Sequence, residues 1–276
     1  MRQLVIFISA TLCLLFGTAF SVTVAEGTSE LPAPKLVILK LDDVVTGGDR
    51  QPRWQRVADF LEQKKIKSAM GIIGYSLVND DPAYFKWITD RAIPEQVIDK
   101  NTIDPEKPRY VEFWNHGFYQ RRSNDDFAEF EGTFEEQVHA LSQTDKLATE
   151  KLGLTLTAWG PHWCGTNANT DRALAEVPNI RLAFGHPARA EHFKGFLFKN
   201  RIDIEYPTHN TDFETFKKNY LEKKDNFDYF FLQGHPNSWD DKRWENFVKI
   251  IEYLETENVR FVTPIELLEH IDSQNR

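Results

Sequence analysis

From residue 36 onward the chain repeats one pattern. A short apolar run ends in a polar break, and the next stretch places apolar residues three or four positions apart. Runs of the first kind predict strands near 36–42, 67–73, 110–115, 154–159, 180–184, 201–206, 228–233 and 259–263. Residues 53–65 carry Trp54, Val57, Ala58 and Leu61 at helical spacing. Thr133-Phe134-Glu135-Glu136 reads as a capping box opening a helix to about 151, with Gly153 just past its end. Residues 240–257 place Trp244, Phe247, Ile250, Ile251 and Leu254 on one helical face. Strands alternating with helices predict βαβ units on a parallel sheet. About eight such units in ~250 residues predict an α/β fold, a deformed (β/α) barrel of about seven to eight parallel strands. A doubly wound open sheet is the alternative. No linker or low-complexity tract interrupts residues 30–276, so one domain is expected there. The polar stretches 90–109 and 121–132 read as long loops.

The first apolar run, Leu36-Val37-Ile38-Leu39-Lys40-Leu41, has the character of a strand buried on both faces, and it stops at Asp42-Asp43. Adjacent carboxylates repel unless a metal, a proton or a cation relieves them. Other strands end in chemistry too. His116 follows the third, Pro161 and His162 the fourth, His186 the fifth, Tyr206 and His209 the sixth, and His235 the seventh. In a parallel barrel the C-terminal strand ends converge on one face, where sites are built. Single histidines such as His186 or His209 read more simply as hydrogen-bonded structural residues. Several together with an acidic pair point to a metal or acid–base site, and Asp with His suits Zn²⁺ or another divalent first-row ion.

Composition narrows the partners. A net charge of −9 argues against nucleic acid or an anionic membrane surface. Arg2, the apolar stretch from Leu4 to Phe20 and the small residues after it predict a signal peptide over 1–25. Thr23-Val24-Ala25 is the favoured cleavage site, and Ala19-Phe20-Ser21 competes. The mature protein is then expected to be secreted or periplasmic, with no membrane insertion after cleavage. Cys13 lies in the leader, so Cys164 is left without an intrachain disulfide partner and reads as an inert thiol.

Leu41-Asp42-Asp43, Glu112-Phe113-Trp114-Asn115-His116-Gly117, Trp159-Gly160-Pro161 and Leu232-Gln233-Gly234-His235-Pro236 resemble, in order and strand-end placement, the motifs of the polysaccharide deacetylases. This is the NodB-homology family, carbohydrate esterase family 4, and the resemblance runs over about residues 36–265. It implies a divalent metal, Zn as the family's ion, with Asp43 and His116 as ligands. It implies Asp42 as general base and His235 as general acid. The family's second motif histidine falls at Gln120, with His162 and His139 as alternatives for the third ligand. Its Arg-x-Pro motif is Trp159-Gly160-Pro161 here, so the arginine that pairs with the catalytic Asp is absent. An acetylated carbohydrate is the implied substrate. Tyr119, Trp159, Pro161, Trp163 and Trp239 are the candidate sugar contacts, because flat rings stack on pyranose faces. A non-catalytic carbohydrate-binding protein on the same scaffold is the alternative. A phosphoesterase is disfavoured, since no Lys or Arg cluster follows the strand ends.

Overall fold

The computed structural model describes residues 32–48, 50–119 and 128–276. The leader segment, Gln120 and most of the stretch 121–132 therefore lie outside the described residues. Ala33–Arg276 form one compact unit.

Nine strands make one sheet among the described residues: β1 (Lys35–Val44), β2 (Ser68–Ile72), β3 (Val111–Asn115), β4 (Ala158–Trp159), β5 (Leu182–Phe184), β6 (Phe196–Phe198), β7 (Arg201–Asp203), β8 (Tyr229–Gly234) and β9 (Val259–Phe261). Their order is β6-β5-β4-β3-β2-β1-β8-β7, with β9 also on β1, and every pairing is parallel. The sheet curls into the expected deformed barrel. β6 is a strand the pattern did not predict. Only Lys199 and Asn200 separate it from β7, so one extended stretch pairs with β5 in its first half and β8 in its second. The doubly wound alternative, with the first strand in the middle of a flat sheet, is thereby replaced by a curled one.

Helices α1 (Arg50–Gln63), α2 (Pro82–Thr89), α3 (Phe134–Leu147), α4 (Thr170–Ala175), α5 (Phe213–Lys223), α6 (Asp241–Glu255) and α7 (Pro264–Gln274) accompany the strands. The Thr133 capping box forms as its residue types dictate, with the Glu136 amide donating to Thr133 and the Thr133 amide to Glu136. α3 then widens into a π-helical turn over Ala148–Leu152, and Gly153 ends it at φ +65°. α1 and α6 bury the residues their periodicity marked: Trp54, Val57, Ala58 and Leu61 in one, and Phe247, Ile250, Ile251 and Leu254 in the other. Among the described residues no helix is long and apolar enough to cross a membrane.

Alternation along the buried strands sorts the core into two clusters. Val37, Leu39 and Leu41 of β1 join the cluster shared with α1 and α6. Leu36 and Ile38 join the other, with Trp114, Phe184, Phe198 and Phe231 inside the curl. Lys40 and Asp42 continue that inner series, as Glu112, Trp114 and His116 do on β3. Gly71 on β2 makes room for this filling. A Cβ there would lie 2.4 Å from the Trp114 ring.

Glu112 sits fully buried low in the curl, accepting from Thr157 Oγ1 at 2.6 Å and from the Ile265 amide at 2.8 Å. Burial pushes its pKa up to about 7, against these hydrogen bonds. The native state thus holds a proton that the unfolded chain releases near pH ~4.5. This group's contribution is full below that pH and is lost as pH rises toward 7. A glutamine retains the shape without the titration. The advantage of Glu112→Gln over the wild type in urea unfolding is therefore expected to be larger at pH 8 than at pH 5, by roughly 2.5 kcal/mol. An equal difference at both pH values would show that Glu112 stays ionised in the fold.

Candidate active site and metal centre

β1 delivers both members of the acidic pair to one place, which regular alternation would forbid. The β1–β2 register slips between Leu41 and Val44, and Asp43 takes a left-handed backbone at φ +70°. This irregularity turns Asp43 back toward the side Asp42 already faces. Trp54 Nε1 of α1 holds the Asp43 carbonyl at 3.1 Å.

Asp43 Oδ1 lies 3.3 Å from His116 Nε2 and 3.5 Å from His162 Nδ1. All three residues are buried, and one donor atom from each lies within 4.8 Å of the others. Four atoms arranged tetrahedrally at ~2.1 Å from one ion stand ~3.4 Å apart, so the spacing fits a shared divalent ion. The donors fit as well. His116 Nδ1 is 2.7 Å from the Gly160 carbonyl, to which it donates. That bond leaves Nε2 as the lone-pair nitrogen facing Asp43. His162 Nε2 is buried with no hydrogen-bond partner. Burial, aided by neighbouring His116, lowers the His162 pKa to about 4, so the ring is neutral and able to ligate. Burial pushes Asp43 up, but His116 and His162 hold it well below the usual carboxylate range.

Of the three alternatives for a third ligand, the structure brings His162 to the pair. His139 is exposed on α3, against the Phe118 ring at 6.2 Å and outside the cluster. This corrects its candidacy. Gln120 lies outside the described residues.

Asp42 is 2% exposed and lies 3.8 Å from both His116 Nε2 and His235 Nε2. Its partner is Lys40, whose Nζ stands 2.6 Å from both carboxylate oxygens. Lys40 is itself 2% exposed and lies over the Trp114 ring at 4.7 Å. Burial raises the Asp42 pKa, yet Lys40 and the two histidines bring it below its ordinary value. The cation that the missing arginine would have supplied thus comes from two residues upstream on the same strand face. A lysine inside an otherwise apolar run was the available signal.

His235 leaves the end of β8 with its Nδ1 2.7 Å from Glu205 Oε2, while its amide donates to Glu205 Oε1 at 2.8 Å. Glu205 also accepts from the His209 amide at 2.7 Å and from Trp239 Nε1 at 2.7 Å. Each oxygen therefore serves two N–H groups. Glu205, His209 and His235 are close enough to suggest a second metal group, but the carboxylate is already committed to hydrogen bonds. Burial lowers the His235 pKa, and Glu205 and Asp42 more than offset it, so the net shift is upward. Glu205 escaped the sequence reading. Its signal was a carboxylate near the end of the sixth predicted strand, 201–206, one residue before Tyr206.

The aromatic candidates divide. Trp159 is fully buried and Trp239 is 1% exposed. Neither presents a face to a sugar, which corrects both expectations: Trp159 packs edge-on against Phe130 at 4.8 Å, and Trp239 holds Glu205. Pro161 is buried as well and contributes only to the wall of a small cavity. Tyr119 and Trp163 are 45% and 53% exposed. Tyr75, which the sequence did not single out, pairs with Tyr119 at 5.7 Å, and both line a groove of about 650 Å³ with Arg50, Asn79 and Asp81.

No family model matches the chain, and no curated protein matches it in sequence. Solved structures do match. A family 4 acetyl xylan esterase from Clostridium thermocellum, in complex with a cobalt ion, aligns at TM-score 0.56 and 16% identity over 85% of this chain and 91% of its own. A peptidoglycan N-acetylglucosamine deacetylase aligns at 0.55 and 14% over 84% and 87%. A mutant of a family 4 pseudoenzyme with restored enzymatic activity aligns at 0.54 and 14% over 86% and 69%. The chain has the fold these proteins share.

Proposed function

We propose that the chain is a divergent family 4 carbohydrate esterase, a secreted metal-dependent deacetylase that removes N- or O-linked acetyl groups from a polysaccharide. The observation that carries this reading is the Asp43–His116–His162 cluster standing beside a buried Asp42 that faces a carboxylate-backed His235. The same motif order, read on the sequence, resembles this family.

Asp43, His116 and His162 would hold the ion. A bound divalent ion supplies Lewis acidity toward the acetyl carbonyl and lowers the pKa of a bound water. Asp42, kept ionised by Lys40, takes the proton of the attacking water. His235 gives its Nε2 proton to the departing sugar nitrogen or oxygen. Glu205 fixes the tautomer and stabilises the imidazolium, as a carboxylate behind a catalytic histidine does. Tyr119, Tyr75 and Trp163 are the exposed rings available to a sugar face.

The test is acetate release from acetylated oligosaccharides by metal-loaded protein. Asp42→Asn and His235→Ala are each expected to lower kcat by about 10²–10⁴, and a chelator should abolish release. Glycan binding with no release in wild-type, metal-loaded protein would favour the non-catalytic alternative. Release undiminished in both variants would sink the mechanism.

A further inference from the structure

Beside the reaction centre, on its β4–β5–β8 side, lies a cavity of about 200 Å³ lined by Lys40, Cys164, His186, Lys199, Arg201 and Gln233, with Phe184 and Phe231 among its apolar walls. Four of these side chains carry or can carry positive charge, and no carboxylate lines it. Two of the cations have structural commitments. Lys40 is paired with Asp42. Arg201 Nε donates to Asp203 Oδ1 at 2.5 Å and Nη2 meets the same oxygen, which turns Nη1 toward the cavity, where it reaches Cys164 Sγ at 3.5 Å. Lys199 Nζ donates to the Ala188 carbonyl at 3.0 Å and has no carboxylate partner among the described residues. The proposed mechanism uses neither Arg201, Lys199 nor His186.

We propose that this cavity binds a carboxylate carried by the glycan next to the acetylated sugar, so that the substrate is an acidic polysaccharide. The inference rests on the deacetylase reading and specifies its substrate class. Its position follows from shared residues. Cys164 is two residues beyond His162, and Lys40 Nζ spans from Asp42 to Gln233 Oε1 at 3.2 Å. Its size follows from volume. About 200 Å³ holds roughly seven waters at ~30 Å³ each, enough for a carboxylate-bearing substituent. Its chemistry follows from the donors, since planar guanidinium edges and lysine ammonium groups match a carboxylate.

Two measurements test this. The first compares kcat/KM for acetylated oligosaccharides with and without uronic acid residues, in metal-loaded protein. A preference for the acidic substrate of about tenfold or more is expected. In Lys199→Gln, a substitution at an exposed side chain, and in Arg201→Gln, the acidic-to-neutral ratio should fall toward one. Equal rates for both substrates in the wild type, with acetate released, would overturn the cavity assignment and leave the deacetylase reading standing. The second measurement is independent of turnover. Alkylation of Cys164 by iodoacetamide, with Cys164→Ser as the blank, should be slowed by a uronate oligosaccharide and not by a neutral one. If no acetate is released from any glycan, this protection still reads the cavity. Equal protection by free acetate at the same concentration would reassign the cavity to small anions and overturn recognition of the glycan.

Discussion

Asp43→Ala is expected to empty the metal centre and abolish acetate release. Asp43 is the member of the cluster that faces both His116 Nε2 and His162 Nδ1. Its loss leaves two imidazoles and no carboxylate ligand to hold a dication. Even partners that only orient a ligand cost 10–100-fold in affinity or activity, so losing the carboxylate should cost more than about a hundredfold. Wild-type protein at a hundred times its metal Kd gains about 2.7 kcal/mol of stability from the ion, worth roughly 5–10 °C at this domain size. Asp43→Ala should show no such gain while keeping its metal-free melting temperature. The same titration identifies the third ligand. His162→Ala is expected to lose the metal-dependent shift, and Gln120→Ala to retain it. The opposite result would move the ligand role back to the residue that the family motif assigns.

Lys40→Met is expected to be the most destabilising change near the site. It strands Asp42, 2% exposed, without its cation, and removing one partner of a buried pair costs about 3–5 kcal/mol. The methionine stem still fills the space over Trp114, so a cavity contributes little. The double variant Lys40→Met/Asp42→Asn removes both charges and should recover most of that loss in urea unfolding. Activity should separate from stability. On neutral acetylated oligosaccharides, which carry no carboxylate for the neighbouring cavity, Lys40→Met lowers kcat with little change in KM because it disturbs the base, and the double variant regains stability without regaining kcat. If Lys40→Met unfolded no more readily than the wild type, the ion pair would not be what keeps Asp42 ionised.

These two results bear on different parts of one strand, and both parts were partly legible. The apolar run ending in Asp42-Asp43 announced a buried strand with a site at its tip. His116 and His235 announced partners at other strand ends, since strand ends in a parallel barrel share a face. The helices followed from local rules that depend on few neighbours: the Thr133 capping box, the α1 and α6 stripes, and Gly153 after α3. Motif order carried the fold further than composition could.

The rest depended on distance in space. Trp159 and Trp239 looked like sugar platforms because they sit near strand ends, but nearness in sequence says nothing about which way an indole points. Trp239 spends its N–H on Glu205 and Trp159 fills core. Glu205 was invisible because its value lies in four N–H groups, three of them from residues 235 and 239. Lys40 was visible as a residue and silent as a partner: strand alternation puts it on the face of Asp42, but only the structure shows its Nζ turned back onto that carboxylate. The chain by itself determined which residues could do chemistry and where the strands stop, because burial patterns and turn residues are local. Only the tertiary structure decided that His162 and not His139 meets Asp43, that Lys40 stands in for an absent arginine, and that one bulge at Asp43 turns two neighbouring carboxylates to the same side. Those outcomes depend on side-chain direction and on contacts between residues far apart in the chain.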